Sequence, residues 1–182
     1  MEIETQGNDK TAMTKTAWQD RLADIQLLVL DIDGVLTDGR LYYDAQGEAL
    51  KVFHVQDGHG IKALLAQQIM VACITGRHSV INTRRTRELG IDPLIQGSQN
   101  KLEDLKTLLH GIQPRQPGLH QVAFMGDDLP DLPAMQAVAL AFTVPQAHPD
   151  IQHMAHYCTR APGGKGAVRE VCDLLLASRH AT

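Results

Sequence analysis

The stretch LLVLDIDGVLTDG, at residues 27–39, begins with four aliphatic residues, which are followed by several acidic residues. Asp31 and Asp33 follow the aliphatic run, separated by a single residue, and Asp38 comes shortly after them. Two carboxylates at the mouth of a buried strand repel each other, and burial raises the cost of keeping both ionised. A divalent cation would balance this charge and leave one carboxylate ready for chemistry. The alternative is an acidic loop without a special role, and the rest of the chain decides between the two.

Short apolar runs alternate with helical patterns along most of the chain. The predicted strands lie at 27–30, 71–74, 122–125 and 139–144, with weaker ones near Leu94 and Tyr157, and the predicted helices lie at 18–23, 60–68, 80–89, 102–110 and 167–177. Strands that are apolar throughout and alternate with helices are typical of a parallel sheet covered on both faces. The sequence therefore predicts an α/β fold built on a doubly wound parallel sheet.

One segment, RLYYDAQGEALKVFHV at residues 40–55, interrupts this alternation. Residues that favour strands stand on either side of a turn sequence at 44–47, which predicts a β-hairpin flap after the first strand. The first 17 residues are polar, and we expect them to form a disordered tail. Residues 18–182 are then expected to form one domain, a size that can bury a sizeable core.

Acidic residues follow two of the predicted strands. Ligands of open α/β sheets bind at the carboxyl ends of the strands, where the loops of several strands meet. Asp31 and Asp33 follow the first strand, and Asp127 lies in the sequence GDDLPD at residues 126–131, after the 122–125 strand. Hard oxygen ligands of this kind are the ones that Mg²⁺ prefers. The sequence therefore predicts a magnesium site made by Asp31, Asp33 and Asp127.

Donors suited to a phosphoryl group lie at the same predicted edge. Thr75 offers a hydroxyl group and Gly76 an unshielded backbone N–H at the end of the second long strand, while Lys101 offers a positive charge at the start of a helix. Such donors match the charge and the acceptor oxygens of a phosphate ester. We therefore expect the metal and a phosphoryl group to share one site.

Three alternative roles compete for the acidic residues. A calcium-binding EF-hand loop is disfavoured, because a strand precedes Asp31 and Val35 stands where a third ligand belongs. A phospho-receiver signalling domain also combines carboxylates, a threonine and a lysine on a doubly wound sheet, but its phosphorylated aspartate ends a later strand, where this chain has Thr75. Carboxylates with a purely structural role remain the third alternative.

Composition limits the classes of partner. The formal net charge of −4 and the aromatic content of 4% provide neither a basic surface nor stacking platforms, so we expect no nucleic-acid partner. No apolar stretch approaches the ~20 residues that span a bilayer, and the first residues lack the apolar core of a secretory signal. We therefore expect a cytoplasmic protein with no membrane partner.

Four motifs together resemble the haloacid dehalogenase-like (HAD) phosphatases. They are DIDGVLT at residues 31–37, ITGR at 74–77, Lys101, and GDDLPD at 126–131, and they occur in the family's order. The resemblance implies that Asp31 is the nucleophile and that Asp33 is a general acid and base which contacts Mg²⁺ through its backbone carbonyl. It also implies catalytic roles for Thr75 and Lys101, with Asp131 orienting Lys101.

Three longer stretches are GEALKVFHVQDGHGIK at residues 47–62, QGSQNKLEDL at 96–105 and GGKGAVREVCDLLL at 163–176. Together with the four motifs they resemble a branch of that superfamily, the phosphatases of 3-deoxy-D-manno-octulosonate 8-phosphate (KDO 8-phosphate). The resemblance implies an Mg²⁺-dependent cytosolic homotetramer of lipopolysaccharide biosynthesis that hydrolyses a sugar-acid phosphate. It implies these substrate-binding residues: Asp33, His54, Val55, Gln56, Asp57, Gly58, Lys62, Gly76, Arg77, Arg85, Lys101 and Asp128. His54, Gln56 and Lys62 stand where this branch is expected to carry Asn, Arg and Arg. A phosphatase of another sugar acid, such as a sialic-type 9-phosphate, and a non-catalytic scaffold domain remain as alternatives.

The spacing of the motifs bears on the assembly. HAD enzymes usually close their site with a cap domain, but the segments between Asp33 and Thr75 and between Thr75 and Lys101 are too short to hold one. The hairpin, with Tyr43 and Phe53, is too small to be stable alone and is expected to expose apolar surface. We therefore expect the hairpin to pack against neighbouring subunits of a homotetramer.

Overall fold

A computed structural model of the chain describes residues 18–114 and 116–180. The predicted tail at residues 1–17 lies outside the described residues. The strands are β1 (Leu27–Leu30), β2 (Tyr42–Asp44), β3 (Gly47–Leu50), β4 (Met70–Thr75), β5 (Leu94–Gln96), β6 (Val122–Met125), β7 (Leu140–Thr143) and β8 (Tyr157–Cys158). Six of them form one parallel sheet in the order β5-β4-β1-β6-β7-β8. The predicted doubly wound parallel sheet is confirmed.

Six α-helices in the described part of the chain connect and cover these strands. They are α1 (Val55–Ala66), α2 (Val80–Leu89), α3 (Lys101–Gly111), α4 (Leu132–Ala137), α5 (Pro149–Met154) and α6 (Ala167–His180). Side chains fix the start of two of them: Ser79 accepts a hydrogen bond from the Ile81 N–H at α2, and Asn100 accepts one from the Glu103 N–H at α3. Gly90 ends α2 in the left-handed conformation, with φ of 79°.

The strand order places the helices on two faces. The chain runs from β1 to β4 and β5 in one direction, and then returns past β1 to β6, β7 and β8 in the other. Because crossovers between parallel strands are right-handed, this reversal puts α1 and α2 on one face and α3 and α4 on the opposite one. The central strands β1 and β6 are buried at every residue, and α6 packs beside α1.

The hairpin forms as predicted at its tip and differs at its base. Strands β2 and β3 pair antiparallel around the two-residue turn Ala45–Gln46, and Gly47 adopts a φ of 124° that favours glycine. The prediction that strand structure continues to Val55 is wrong, because β3 ends at Leu50 and Val55 begins α1. Between β1 and β4 the chain holds only this hairpin and α1, so no cap domain is inserted there.

Other boundaries also differ from the predictions. Helix α1 begins five residues before the predicted start at residue 60, and α6 continues to His180 rather than ending at residue 177. Of the predicted 18–23 helix, Trp18 and Gln19 are helical, and a 3₁₀ turn at residues 22–24 follows a short turn. Helices α4 and α5 were not predicted, because each has only six residues and is too short to show helical periodicity. Within the described part of the chain, no helix has both the length and the apolar character required to cross a lipid bilayer.

Candidate active site

Asp31 lies where the winding of the sheet reverses. It follows β1 directly, and its N–H donates to the Met125 carbonyl at the end of β6, 2.9 Å away. The parallel register sets Leu30 opposite Cys73 of β4 on one side and opposite Met125 of β6 on the other. The loops after β1, β4 and β6 therefore meet at one edge, which is the position where open α/β sheets bind ligands.

Three carboxylates and one ammonium group form the centre of this edge. Lys101 Nζ lies 2.9 Å from Asp31 Oδ1 and 2.6 Å from Asp131 Oδ1. Carboxylate oxygens of Asp31, Asp127 and Asp131 all lie within 4.8 Å of one another. Asp131 also fixes the loop after β6, because its Oδ2 accepts from the N–H groups of Asp127 and Asp128 at 3.0 and 3.2 Å. The contact between Asp131 and Lys101 is the one predicted for Asp131.

The electrostatics of the cluster favour a bound cation. Burial raises the pKa of Asp31 to about 7, against the opposing attraction of Lys101, and burial together with the charge of Asp31 raises the pKa of Asp127 to about 7. Burial acts to lower the pKa of Lys101, yet the two neighbouring carboxylates hold that pKa above its usual value. Three acids against one ammonium leave an excess of negative charge. Asp31 Oδ1 is also buried without a well-aligned hydrogen bond among the described residues. The all-oxygen donor set and this excess charge fit Mg²⁺.

The predicted phosphoryl donors lie beside this cluster. Thr75 is the last residue of β4 and is buried, and its carbonyl accepts from the Ser98 N–H at 3.1 Å. A methyl group at Gly76 would lie 3.7 Å from the Ser98 carbonyl, so the backbone here packs against the next loop without a clash. Strand β4 thus delivers both residues to the edge where Lys101 begins α3.

Asp33 is held by a residue that the sequence did not single out. Lys51, which directly follows β3, places its Nζ 2.5 Å from Asp33 Oδ1, and Arg77 Nε lies 3.8 Å from Asp33 Oδ2. Arg77 also donates to the Tyr43 hydroxyl of the hairpin at 2.5 Å. The hairpin is therefore joined to the site by charged and polar contacts. The hairpin sequence did not predict this contact. Alternation of apolar and polar residues predicts which face of a strand a side chain lies on, but not which residue of another loop it contacts.

Known proteins of similar sequence and structure identify the family. A curated relative from Yersinia pestis, named 3-deoxy-D-manno-octulosonate 8-phosphate phosphatase KdsC, is 49% identical over 159 residues, which cover 87% of this chain and 83% of the relative. The chain belongs to the KDO 8-phosphate phosphatase family. A relative of the same name from Escherichia coli strain K12 is 48% identical over 157 residues, which cover 85% of this chain and 81% of that one.

A solved structure supports the same assignment at the level of the fold. The KDO 8-phosphate phosphatase from Moraxella catarrhalis, in complex with magnesium, phosphate and KDO, matches with a TM-score of 0.85 and 39% identity, over 90% of this chain and 92% of that one. No protein-family model matches the chain. The predicted membership of the HAD superfamily, the enzyme class and the metal are confirmed, and a calcium loop, a receiver domain and a scaffold are not favoured.

Several residues expected to bind the sugar lie at the start of α1, and they differ in burial and in internal contacts. His54 stands before α1, and its Nδ1 is buried without a hydrogen bond among the described residues. Val55 and Gln56 begin the helix and are exposed. By contrast, Asp57 is buried, and its Oδ1 accepts from the Arg169 N–H at 2.7 Å, near the start of α6. This geometry favours a role for Asp57 in joining α1 to α6.

Arg85 also makes internal contacts. Its guanidinium lies 5.5 Å from the centre of the Phe53 ring and 3.2 Å from Glu88 Oε2, and it packs so closely on Gly58 that a methyl group there would lie 2.7 Å from Nη2. Gly58 therefore allows the start of α1 to approach Arg85 on α2. Two further predicted substrate ligands, Lys62 on α1 and Asp128 after β6, are exposed, and Asp128 Oδ1 accepts from the Leu129 N–H at 2.8 Å.

A glycine-rich loop packs on the loop that follows β1. Gly164 donates its N–H to the Val35 carbonyl at 3.0 Å, and a methyl group at Gly163 would lie 1.8 Å from the Gly34 carbonyl oxygen. The loop before α6 thus packs backbone against backbone on the loop that carries Asp31 and Asp33. The three glycines at 163, 164 and 166 were visible in the sequence, but their partner, about 130 residues earlier in the chain, was not.

Proposed function

We propose that this chain is a magnesium-dependent phosphatase that releases phosphate from KDO 8-phosphate by way of a phosphorylated Asp31. The observation that carries the proposal is the position of Asp31 at the topological switch point, beside Lys101 and within a cluster of three carboxylates. The names of the relatives and the KDO-bound solved structure favour this substrate over a sialic-type 9-phosphate.

Mg²⁺ is the metal that these residues suit. Asp31 and Asp127 would hold it with side-chain oxygens and Asp33 with its backbone carbonyl. When bound, the cation neutralises the phosphoryl oxygens and lowers the repulsion between the substrate and the Asp31 carboxylate. Its charge would also offset the effect of burial on the pKa of Asp31, so that the carboxylate is ionised at neutral pH.

In the first step, a carboxylate oxygen of Asp31 attacks phosphorus in line with the bond to the sugar oxygen. Lys101, Thr75 and the Gly76 N–H would bind the non-bridging oxygens, where charge shifts in the transition state. As the bond between phosphorus and the sugar oxygen breaks, Asp33 gives its proton to that oxygen, so the sugar leaves as a neutral alcohol.

In the second step, water hydrolyses the phosphorylated Asp31. Asp33, now a carboxylate, takes a proton from the water as its oxygen attacks phosphorus. The bond between phosphorus and the Asp31 oxygen breaks, which regenerates the Asp31 carboxylate and releases inorganic phosphate. Asp33 ends the cycle protonated, as it began, so the proton balance closes.

The sugar part would extend from the cluster toward His54, Gln56 and Arg77. KDO carries a carboxylate, so cationic and hydrogen-bonding side chains suit it. Arg77 is part exposed and its guanidinium already faces the Asp33 carboxylate, which places a positive charge at the rim of the phosphate site. Lys62 and Arg85 are proposed as further ligands, with the exposed Lys62 supplying a point charge.

We also propose that the working form is a cytoplasmic homotetramer that serves lipopolysaccharide biosynthesis. Apolar side chains at the hairpin and the start of α1 are exposed, among them Val52 at 53% and Val55 at 82%. Such a patch is typical of an interface, and burying it against a second copy would also screen a site that has no cap domain. Phe53, which was expected to be exposed, instead packs against the core and Arg85.

A substrate panel tests the proposed function. The purified protein is assayed for phosphate release from KDO 8-phosphate, a sialic-type 9-phosphate and glucose 6-phosphate, with Mg²⁺ and then with excess chelator. We expect KDO 8-phosphate to give the highest kcat/KM and the chelator to abolish turnover. Asp31→Asn serves as the inactive control. A higher kcat/KM for the 9-phosphate would contradict the substrate, and full activity in chelator would contradict the metal.

A further inference from the structure

We infer that Lys51 is a positioning residue for the general acid and base of this phosphatase: it holds one oxygen of Asp33 so that the other is presented for proton transfer. The inference rests on the proposed function, because it assigns a task to Lys51 within that mechanism. Lys51 belongs to the hairpin side of the site. Within the described part of the chain its ion pairs join Asp33 and Glu48, not the carboxylates of the metal cluster.

The surroundings of Lys51 are unusual for a lysine. Its side chain is 1% exposed, whereas lysines are rarely buried without a partner. The ammonium group lies 2.5 Å from Asp33 Oδ1 and 3.6 Å from Glu48 Oε1, so Glu48 compensates for its burial also when Asp33 carries the proton. Removing one partner of such a buried pair leaves the charge of the other partner uncompensated. Loss of the contact is therefore costly.

The two oxygens of Asp33 have different surroundings. Oδ1 accepts the short hydrogen bond from Lys51, while Oδ2 is buried and has no hydrogen bond within the part of the chain that the structure describes. Arg77 Nε approaches Oδ2 only to 3.8 Å, which is beyond hydrogen-bond distance. Oδ1 is therefore held by a hydrogen bond, and Oδ2 has only the longer contact with Arg77. This is the arrangement that a group needs when it must exchange a proton with two successive partners, the sugar oxygen and then water.

The position of Lys51 depends in turn on the hairpin. Glu48, three residues earlier on β3, accepts a hydrogen bond from the Ser79 hydroxyl, and the Ser79 N–H donates to Gln96 Oε1 at 2.9 Å. Ser79 also caps α2. A chain of polar contacts thus runs from the start of α2 through Glu48 to Lys51 and Asp33, so the docking of the hairpin on α2 fixes the orientation of the Asp33 carboxylate.

A purely structural role for Lys51 predicts a different result from a positioning role. If the ion pair only stabilises the hairpin, its loss should reduce the hydrolysis of every phosphate ester by one common factor. If Lys51 orients Asp33, the loss in kcat/KM, which covers the steps up to departure of the leaving group, should fall on esters whose leaving group must be protonated. The later water step is common to all esters and does not enter this ratio. The primary alcohol of a sugar needs that proton, whereas nitrophenolate is a stable anion at neutral pH and leaves without it.

The test compares two substrates in the Lys51→Met variant of the full chain with Mg²⁺. Misplacing a catalytic group by about 1 Å costs about 100-fold, so we expect kcat/KM for KDO 8-phosphate to fall by about 100-fold, mainly through kcat. For p-nitrophenyl phosphate we expect a fall of less than about 5-fold. Lys106→Met, which removes a lysine paired with Glu103 on the exposed face of α3, is the matched control and should change neither value.

Each outcome decides a separate point. Equal losses for the two substrates, or no loss for KDO 8-phosphate, would overturn the positioning role. If Lys51→Met fails to fold, Lys51→Gln removes the charge with a polar side chain in place, and the same ratio is measured on it. Lys51→Arg keeps a cation and should restore the wild-type ratio between the substrates. A wild type that hydrolyses glucose 6-phosphate but not KDO 8-phosphate would refute the proposed substrate. The role of Lys51 is then tested by comparing the loss of kcat/KM for glucose 6-phosphate with the loss for p-nitrophenyl phosphate.

Discussion

Removing the metal should make the stability of this protein fall as the pH rises. Burial raises the pKa of Asp31 from 3.8 to about 7 in the folded protein, so the folded state holds a proton that the unfolded chain has already lost. The stabilisation from this group is therefore complete below a pH of about 4 and is lost as the pH rises toward 7. Bound Mg²⁺ replaces the proton as the compensating charge, so it should restore stability at high pH and have little effect at low pH.

The size of this change in the free energy of unfolding follows from the rise in the pKa of Asp31. A difference of one pKa unit corresponds to about 1.4 kcal/mol, so a rise of about three units gives an upper limit of about 4 kcal/mol for Asp31 alone. Because Asp31 also raises the pKa of Asp127, the substitution Asp31→Asn should relieve both groups. We expect the metal-free wild type to lose about 2–4 kcal/mol relative to Asp31→Asn between pH 5 and pH 8.

Urea unfolding at fixed protein concentration measures this difference. The wild type, Asp31→Asn and the control Asp20→Asn, which changes an exposed aspartate, are unfolded at several pH values in chelator and again with Mg²⁺. The control should follow the wild type, and Mg²⁺ should stabilise the wild type at pH 8 far more than at pH 5. A metal-free wild type whose stability stays level or increases relative to Asp31→Asn over this range would refute the reasoning.

Three further predictions address the metal, the assembly and the glycine loop. Asp127→Ala should weaken Mg²⁺ binding and lower kcat by about 100-fold or more, measured by calorimetry and phosphate release, and undiminished Mg²⁺ affinity would count against this ligand. Val52→Asp should dissociate the proposed tetramer, measured by sedimentation, and reduce activity. The control Leu129→Asp, at a position 45% exposed outside the hairpin, should change neither the assembly nor the activity. A fully active monomeric wild type would contradict the assembly. Gly163→Ala should lower the free energy of unfolding by about 2–3 kcal/mol because its methyl group meets the Gly34 carbonyl, and an unchanged melting temperature would show that the loops can separate freely.

The sequence could place the centre of the candidate site at one edge of the sheet for a physical reason. Apolar runs locate buried strands, and in a parallel sheet the carboxyl ends of those strands meet at one edge. Asp31, Thr75 and Asp127 could therefore be placed near one another without any knowledge of side-chain positions. The contact between Lys101 and Asp131 followed from the resemblance to a known family, and the structure places the two groups 2.6 Å apart.

The parts that could not be predicted depend on tertiary contacts. Residues 51–55 favour strand by local preference, yet β3 ends at Leu50 and α1 begins at Val55. The helix as a whole packs against α2 and α6, and tertiary context overrides such preferences. Lys51 reaches Asp33 only because the hairpin folds back on the site. Asp57, which was expected at the sugar, accepts a hydrogen bond from the Arg169 N–H, because a carboxylate near the start of a helix satisfies free N–H groups wherever the chain brings them together.

The chemical identity of the nucleophile is the central claim, and trapping the covalent intermediate tests it most directly. The wild type is mixed with KDO 8-phosphate and Mg²⁺, quenched in acid during turnover, reduced with borohydride and digested for mass spectrometry. Reduction converts a phosphorylated aspartate to homoserine, so the modified position can be located in the peptide. The account predicts homoserine at position 31 and nowhere else. Modification of Asp33 or Asp127 instead, or an unmodified Asp31 in a sample that is turning over, would contradict it.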